Sequence, residues 1–497
     1  MCYRTARIVK VVLPVVVLIA ISLQASTDSE ALTAQPQGTR NLTTRQSAGI
    51  GTAHHADSTH PQVQGGDGPD GPYQYFFPLI AHSSPSEKLA VFPGAEGFGT
   101  DTPAGRGGKI IRVTTLADSG PGSLREAIST RGPRTIVFEV GGMIWLSSDL
   151  NVWHPFLTIA GQTAPSPGIT LVNATFRIKT HDVLIQHLHI RPGDKAQGSQ
   201  NGLAISGKTD GSDEVYNVVI DHCSISWAVN KNLIIWTTNE HLSSGVVGVH
   251  DVTVSNCIVS ESLFDPPRHY MGFLISDHSK RIAVIGNLFA HQKRRNPAPF
   301  GDTSTVIVNN VVYNPGTGAI HFQDSVYTNG PLISSVVGNV IIFGRDTAEW
   351  CHPITVLSRT APGTRIYLED NKGPGTTSNP WSIASVGTSF SVKATEPPIW
   401  VDPLTVRKSD EVLDWVLANA GAWPWDRDAV DKRIVSNVRN GTGRIIDTQR
   451  DVGGWPDLAS TERPLDLPAD PNGDDDGDGY TNLEEWLFEF GQLPPTD

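Results

Sequence analysis

The chain has 497 residues, with 48 Gly, 35 Pro and only 3 Met, a composition that excludes a helix-rich bundle and suits a turn-rich β protein. The length exceeds a single domain of roughly 100–150 residues, although repeat architectures run long as one unit. The net charge is −13, but the segment from Pro464 onward holds ten carboxylates and no Lys or Arg, leaving 41 acidic against 38 basic residues elsewhere. Global acidity therefore says nothing about the partner of the main body.

Arg4, Arg7 and Lys10 precede a 13-residue apolar run, Val11 to Leu23, which is too short for an ordinary membrane span and reads as an export signal. Leu23 lies two positions before Ala25 where a small residue would favour cleavage, so residues 1–25 are either a signal peptide or an uncleaved anchor. Residues 26–87 are rich in Ser, Thr, Gln, Gly and His, the composition of a linker or a tether. The expected location is outside the cell, released or held at its surface.

Residues 88–405 carry a repeat. Aligning VLIQHLHI (from Val183), VVIDHCSI (Val218), VTVSNCIV (Val252), IAVIGNLF (Ile282), VIVNNVVY (Val306) and SVVGNVII (Ser335) puts one polar column in line. The column reads His187, His222, Asn256, Asn287, Asn310 and Asn339, spaced by 35, 34, 31, 23 and 29 residues. Fixed strands joined by loops of changing length are what a coiled stack of parallel strands requires, so the fold class is all-β, a right-handed parallel β-helix. A sandwich would space its strands more evenly and needs no polar column. Stacked Asn side chains can bond to one another and to backbone along the stack. His187 and His222 read as members of the ladder rather than as acid–base residues. Cys223 and Cys257 follow the column in consecutive rows and should stack about 4.8 Å apart, as two buried thiols ahead of a disulfide.

Lys293-Arg294-Arg295-Asn296-Pro297 directly follows a strand, and three cations there make a good anion site. Trp227 and Lys231 belong to the same strand end in an earlier row, and Arg268 and His269 lie in the loop between. A groove of cations along a β-helix suits a long polyanion, and an acidic polysaccharide fits an exported protein better than nucleic acid. The protein is expected to act as a monomer.

Residues 406–463 read as a closing segment. Ser409 caps a helix with Val412, Leu413, Val416 and Leu417 on one face, and a second helix runs from Ala429 to Val438. Trp415, Trp423, Trp425 and Trp455 pack this segment onto the coil in preference to forming a sugar platform. Residues 464–497 form a calcium-binding tail. Asp474, Asp476 and Asp478, the carbonyl of Tyr480 and both oxygens of Glu485 match the ligand positions of a twelve-residue calcium loop, with Gly479 at the sharp turn and Asn482 placed for a bridging water. Asp470-Pro471-Asn472-Gly473 leaves no room for an entering helix, so this is half of an EF-hand, resembling dockerin loops.

From Leu89 to Leu458 the chain resembles the extracellular pectate lyases of bacteria. The resemblance rests on AVFPGAEGFG, GRGGKIIRVTTLADSGPGSLREAI (from Gly105), GPRTIVFEVGG (Gly132), LTIAGQTAPSPGITL (Leu157), VVIDHCSISW (Val218), SESL (Ser260), RRNP (Arg294), GTGRIID (Gly441) and DVGGWPDL (Asp451), in that order. It implies a right-handed parallel β-helix that cleaves pectate or pectin, an acidic plant cell-wall galacturonan, by β-elimination, with Ca2+ as cofactor. By its place before Asn-Pro, Arg295 matches the family's proton acceptor, with Lys231, Arg268, His269, Lys293 and Arg294 as substrate-binding cations. Crowding by Arg294, Lys293 and a metal would favour the neutral form of Arg295.

The chain departs from the family where the lyase calcium binds. Relatives show Asp-Ala where Asn201-Gly202 stands here, and Asp-Glu where Asn230-Lys231 stands. Pro267-Arg268-His269-Tyr270-Met271-Gly272 replaces a loop that holds Lys and His-Gly in relatives. Ca2+ needs about six to eight oxygen ligands, so these losses point away from a metal in the groove. Lys231 then stands in for it, as a fixed cation does in related pectin lyases, or the groove binds acidic polysaccharide without cutting it. Asp213, Glu214, Glu261 and Asp265 are candidates to rebuild the site, and Asp221 reads as structural.

Overall fold

The computed structural model describes residues 89–196, 200–207, 215–237, 248–265, 268–269, 271–323 and 330–491, with the backbone alone for 265, 268 and 269. All of them fall within one compact unit, residues 82–497. The export segment and the linker lie outside the described residues. No described helix is long and apolar enough to cross a membrane.

The chain winds into a parallel β-helix, right-handed as crossovers between parallel strands are. Each turn gives one strand to each of three sheets. Sheet 1 has ten strands, running from Lys109–Val113 through Val183–Gln186, Tyr216–Asp221, His250–Ser255, Lys280–Ile285 and Ser304–Val308 to Arg365–Glu369. Sheet 2 begins at Val140–Trp145 and ends at Val340–Ile342. Sheet 3 stacks Leu150–Val152, Phe176–Ile178, Leu203–Gly207, Lys231–Thr237, Met271–Ile275 and Ala298–Pro299. A further set, Ile320–Phe322, Ile354–Val356 and Ala384–Val386, continues the coil. Inward residues such as Ile136, Phe176, Ile220, Phe273 and Phe289 fill the interior and are fully buried.

The polar column of the sequence proves to be two columns. Register pairs Ser255 with Ile285, so Asn256 lies opposite Gly286 and not Asn287. The first column is His187, His222, Asn256, Gly286, Asn309, Gly338 and Asp370, every one with φ between +47° and +67°. Left-handed backbone turns the chain from sheet 1 to sheet 2, and Asn, Asp and Gly tolerate it best. The second column is the buried ladder Asn287, Asn310, Asn339 and Asn371. Each Nδ2 donates to the Oδ1 of the next Asn at 2.9 Å. The Oδ1 atoms of Asn287, Asn310, Asn339 and Asn371 accept the backbone N–H of Cys257, Asn287, Asn310 and Asn339 in turn, at 2.9 to 3.1 Å. Cys257 and Cys223 extend this ladder as free buried thiols, with the Cys223 N–H on Cys257 Sγ at 3.3 Å. His187 and His222 stack at 5.1 Å.

Two outer faces have described covers. On sheet 2, α2 (Ser409–Asn419) and α3 (Ala429–Asn440) follow α1 (Leu124–Ser129) in chain order and lay Val412, Val416, Leu417, Ile434 and Val438 on Ile258, Leu288 and Val311. Ser409 is not the cap expected: it lies inside the helix, and its N–H and hydroxyl donate to the Asp370 carboxylate, each at 2.8 Å. Trp423 is buried in the core, Trp415 projects from α2 onto the sheet 2 cluster, and Trp455 rests on Trp145 and Trp227, so these tryptophans close the coil. Sheet 1 is covered by the AVFPGAEGFG segment. Gly97 sits at φ +121° there, and a Cβ on it would come within 2.2 Å of Thr253 Oγ1. Over sheet 3 no described segment packs, and Ala204, Ile234, Leu274, Ala298 and Phe300 form a small cluster of their own with Trp236.

Asn310 Nδ2 and Oδ1 together serve five hydrogen-bonding partners. Asn310→Ala leaves buried carbonyl and amide groups unpaired and should lower the unfolding free energy by about 2–4 kcal/mol. Denaturant unfolding followed by circular dichroism checks this.

Candidate active site

The cationic residues meet the outward side of sheet 3. Lys231 pairs in register with Met271, and Met271 bridges to Arg294, so Lys231 and Arg294 stand two rows apart on one edge. That is roughly 10 Å along the stack. Arg294 and Arg295 have no carboxylate partner among the described residues. The Arg295 guanidinium lies over the Phe300 ring, 5.0 Å from its centroid. Its backbone adopts φ +69°, and its carbonyl accepts the Phe273 N–H at 2.6 Å. Gly272 makes this crossing possible, since a Cβ there would fall 2.4 Å from the Arg295 oxygen.

Burial first, and then the neighbouring Arg294, pulls Arg295 down to about 9. Crowding by cations, the expected cause, is therefore secondary to desolvation. Burial also lowers Arg294. Lys293 packs its stem beside Gly316, where Ile445 of the closing segment also sits. Lys231 Nζ donates to Asn230 Oδ1 at 2.8 Å. Nearby, Arg177, Lys179, Asn201, Asn230, Lys231 and Trp236 border a cavity of about 360 Å³. Arg268 and His269 lie on a two-residue strand paired antiparallel with Phe264–Asp265, and their side chains fall outside the described residues.

Trp227 is a correction. It is fully buried on the sheet 2 side, donating from Nε1 to Glu261 at 2.9 Å, and takes no part in the cationic edge. Glu261 is buried too and is gripped by Arg433, at 2.8 Å from its Nη2, so it is not available to a metal in the groove. Asp221 is structural as expected. It accepts from Gln186, His222, Ser255 and Asn256, and although burial raises its pKa, His222 holds it well below the carboxylate range. Asp213 and Glu214 lie outside the described residues, as does the Asp265 side chain.

Among the described residues, carboxylates or imidazoles cluster closely enough for a metal in only two places, and neither is on sheet 3. One is His189, Asp428 and Asp431, where Arg191 already pairs with both carboxylates. The described groove residues, amides and an ammonium at Asn201, Asn230 and Lys231, do not fit Ca2+. The other place is the tail, where Asp474, Asp476 and Asp478 converge. Gly477 and Gly479 N–H groups bond to Asp474 at 2.7 and 3.0 Å, and the Tyr480 N–H to Asp478 at 2.8 Å. Glu485 is outside that close cluster but near enough to feel its charge. Desolvation and then Asp476, Asp478 and Asp474 raise its pKa. Such a set of hard oxygens fits Ca2+. Asn482, expected to hold a water, instead ties the loop, accepting from the Asp475 N–H at 3.1 Å and donating to the Asp470 carbonyl at 2.8 Å.

One groove residue was missed in the sequence. The His321 N–H donates to the Pro297 carbonyl at 3.3 Å, which puts His321 one row beyond Ala298 on the same outward column. Stacking AIHF from Ala319 beneath the Ala298 row would have found it. Burial, then Arg295, with the Ala319 carbonyl opposing, pushes its pKa down to about 3.

A three-sheet β-helix with an arginine edge along one face defines the class of protein. Curated relatives define the family. The chain is 32% identical over 423 residues to the probable pectate lyase C of Aspergillus flavus, covering 80% of this chain and 93% of the relative. It is 30% identical over 438 residues to that of Aspergillus terreus, covering 82% and 96%. The chain belongs to the pectate lyase family. No family model matches it. Among solved structures, the cedar pollen allergen jun a 1 aligns at TM-score 0.44 and 19% identity, over 66% of this chain and 92% of that one. A pectate lyase of Bacillus sp. N165 solved with trigalacturonate aligns at TM-score 0.46 and 15% identity, over 66% and 98%.

Glu261→Ala leaves Arg433 and the buried Trp227 N–H unpaired, and should lower the unfolding free energy by roughly 3 kcal/mol. Melting with and without calcium checks this, and the loss should be the same in both.

Proposed function

We propose that this protein is a polysaccharide lyase that cleaves α-1,4-galacturonan, pectate or its methylated form, by β-elimination with Arg295 as proton acceptor. The observation that carries this is Arg295 itself: desolvated, beside Arg294, on the same face as Lys231, and without a carboxylate partner among the described residues. A pKa brought down to about 9 gives a guanidine that can spend part of its time neutral.

In the reaction, neutral Arg295 takes the C5 proton of a galacturonate ring. The C5–H electrons form the C4–C5 double bond, the C4–O bond breaks, and the departing oxygen takes a proton from solvent. Charge builds on the carboxyl group attached to C5, and cations aimed there stabilise it more in the transition state than before it. Arg294 and Lys231 supply that charge, with Arg268, His269 and Lys293 as further substrate contacts. The described groove residues do not fit Ca2+, so Lys231 takes the place of a metal.

That same misfit favours a second reading, an acidic-polysaccharide-binding protein without catalysis. Ultraviolet absorbance of the unsaturated product separates the two, using polygalacturonate and highly methylated pectin, each with calcium and with chelator. Product despite chelator supports Lys231 as the working cation, whereas binding with no product in any condition makes the protein a binder. Arg295→Ala should cut kcat at least a hundredfold with binding retained. Activity should rise with pH toward about 9, because Arg295 must lose its proton, and Arg294→Ala should shift that rise upward.

The tail loop would hold Ca2+ through Asp474, Asp476, Asp478, the Tyr480 carbonyl and Glu485. The helix leaving it, α4 (Asn482–Phe490), lays Leu483 and Leu487 on Val137 and Ala160 of sheet 1, so the ion would stabilise the coil. Calcium at about a hundred times its Kd should add about 2.7 kcal/mol to folding stability. Scanning calorimetry should show the gain, and Asp476→Ala should abolish it. The motif order resembles exported bacterial members, while the curated relatives named above are fungal. Export follows from Arg4, Arg7, Lys10 and the run to Leu23, and the protein would act as a monomer outside the cell.

A further inference from the structure

His321 has no part in the mechanism above, yet it occupies the floor of the same face. The outward column of sheet 3 runs Ala204, Ile234, Leu274 and Ala298, each paired in register with the next, and His321 follows. The four residues before it are apolar. His321 is only 6% exposed, and its Nδ1 is buried without a hydrogen bond. A Cβ on Gly318 would lie 3.3 Å from that nitrogen and 3.5 Å from the Arg294 Cβ, so the imidazole and the arginine stem share one small space. Buried polar groups are ordinarily paired, and an orphan on a binding face points to a ligand as its partner.

We infer that His321 hydrogen-bonds a hydroxyl of the galacturonan ring held beside Arg295 and helps decide which ring seats there; this rests on the substrate reading above. Three considerations fix the role. A buried imidazole with Arg295 and Arg294 nearby stays uncharged, so it does not serve as another carboxylate-binding cation. Uncharged, it offers one donor and one acceptor, which matches a hydroxyl that both gives and takes. It does not relay the proton either, because burial leaves the imidazole a far weaker base than Arg295. His321 is therefore a binding and positioning residue, and Arg295 remains the acceptor.

The test compares wild type, His321→Ala, His321→Gln and Arg295→Ala by steady-state kinetics on polygalacturonate and by calorimetric binding of an oligogalacturonate. His321→Ala should raise both KM and Kd about tenfold, with kcat within about threefold and the melting temperature unchanged. Gln keeps a donor and an acceptor and should restore most of the affinity. Arg295→Ala should do the reverse, losing kcat and keeping Kd. Values of KM and Kd for His321→Ala within twofold of wild type would overturn the assignment, as would a Gln variant no better than Ala. A wild type that binds without cutting fails the lyase reading alone, and His321 is then judged on Kd. A wild type that neither cuts nor binds overturns both.

Discussion

The amide ladder from Asn287 to Asn371 sets the rest of the structure in place. Each side chain bonds forward to the next Asn and to backbone on both sides, so one turn of the coil can stack on another in a single register. A slip by one residue would turn every inward side chain outward. The same register decides the site, because Lys231, Met271 and Arg294 come into line only when Leu233 pairs with Phe273 and Leu274 with Ala298. A rigid interior thus positions groups that are far apart in sequence.

The shared motifs fall mostly on the scaffold. Arg191 is buried against Asp428 and Asp431, Ser224 bonds to Asp431, Trp227 and Arg433 hold Glu261, and Trp455 donates to the Arg191 carbonyl. These contacts seat the closing segment on sheet 2. The cations proposed to act on the substrate lie away from these contacts, along sheet 3. Burial does more there than charge, since loss of water is the largest influence on Arg294, Arg295 and His321 alike.

Much of the coil was legible because its strands repeat with polar marks. The period exposed sheets 1 and 2, and the periodicity of Val412, Val416 and Leu417 exposed a helix. The register of the column was misread at one step because Gly286 occupies the left-handed position and the neighbouring Asn287 looked like its equivalent. Gly carries no side chain to mark a column. Asp370 replaced Ser409 as the helix cap through a contact 39 residues away, which local spacing cannot reveal. Trp227 looked like a groove residue because strand ends have two sides and sequence does not distinguish them. His321 was missed for a related reason: its three-residue strand is too short to show alternation.

The end of the chain returns to the beginning of the coil. Thr461–Glu462 pairs antiparallel with the first strand of sheet 2, α4 rests on the early strands of sheet 1, and Glu484 is ion-paired with Arg106 at 2.8 Å. A simple solenoid can peel from either end, turn by turn, because each repeat touches only its neighbours. Here the first turns cannot leave without also releasing the last segment. The described coil is closed on itself without a covalent link, which disfavours opening from one end alone. A protease that depends on local opening would then find neither described end of the coil free to open first.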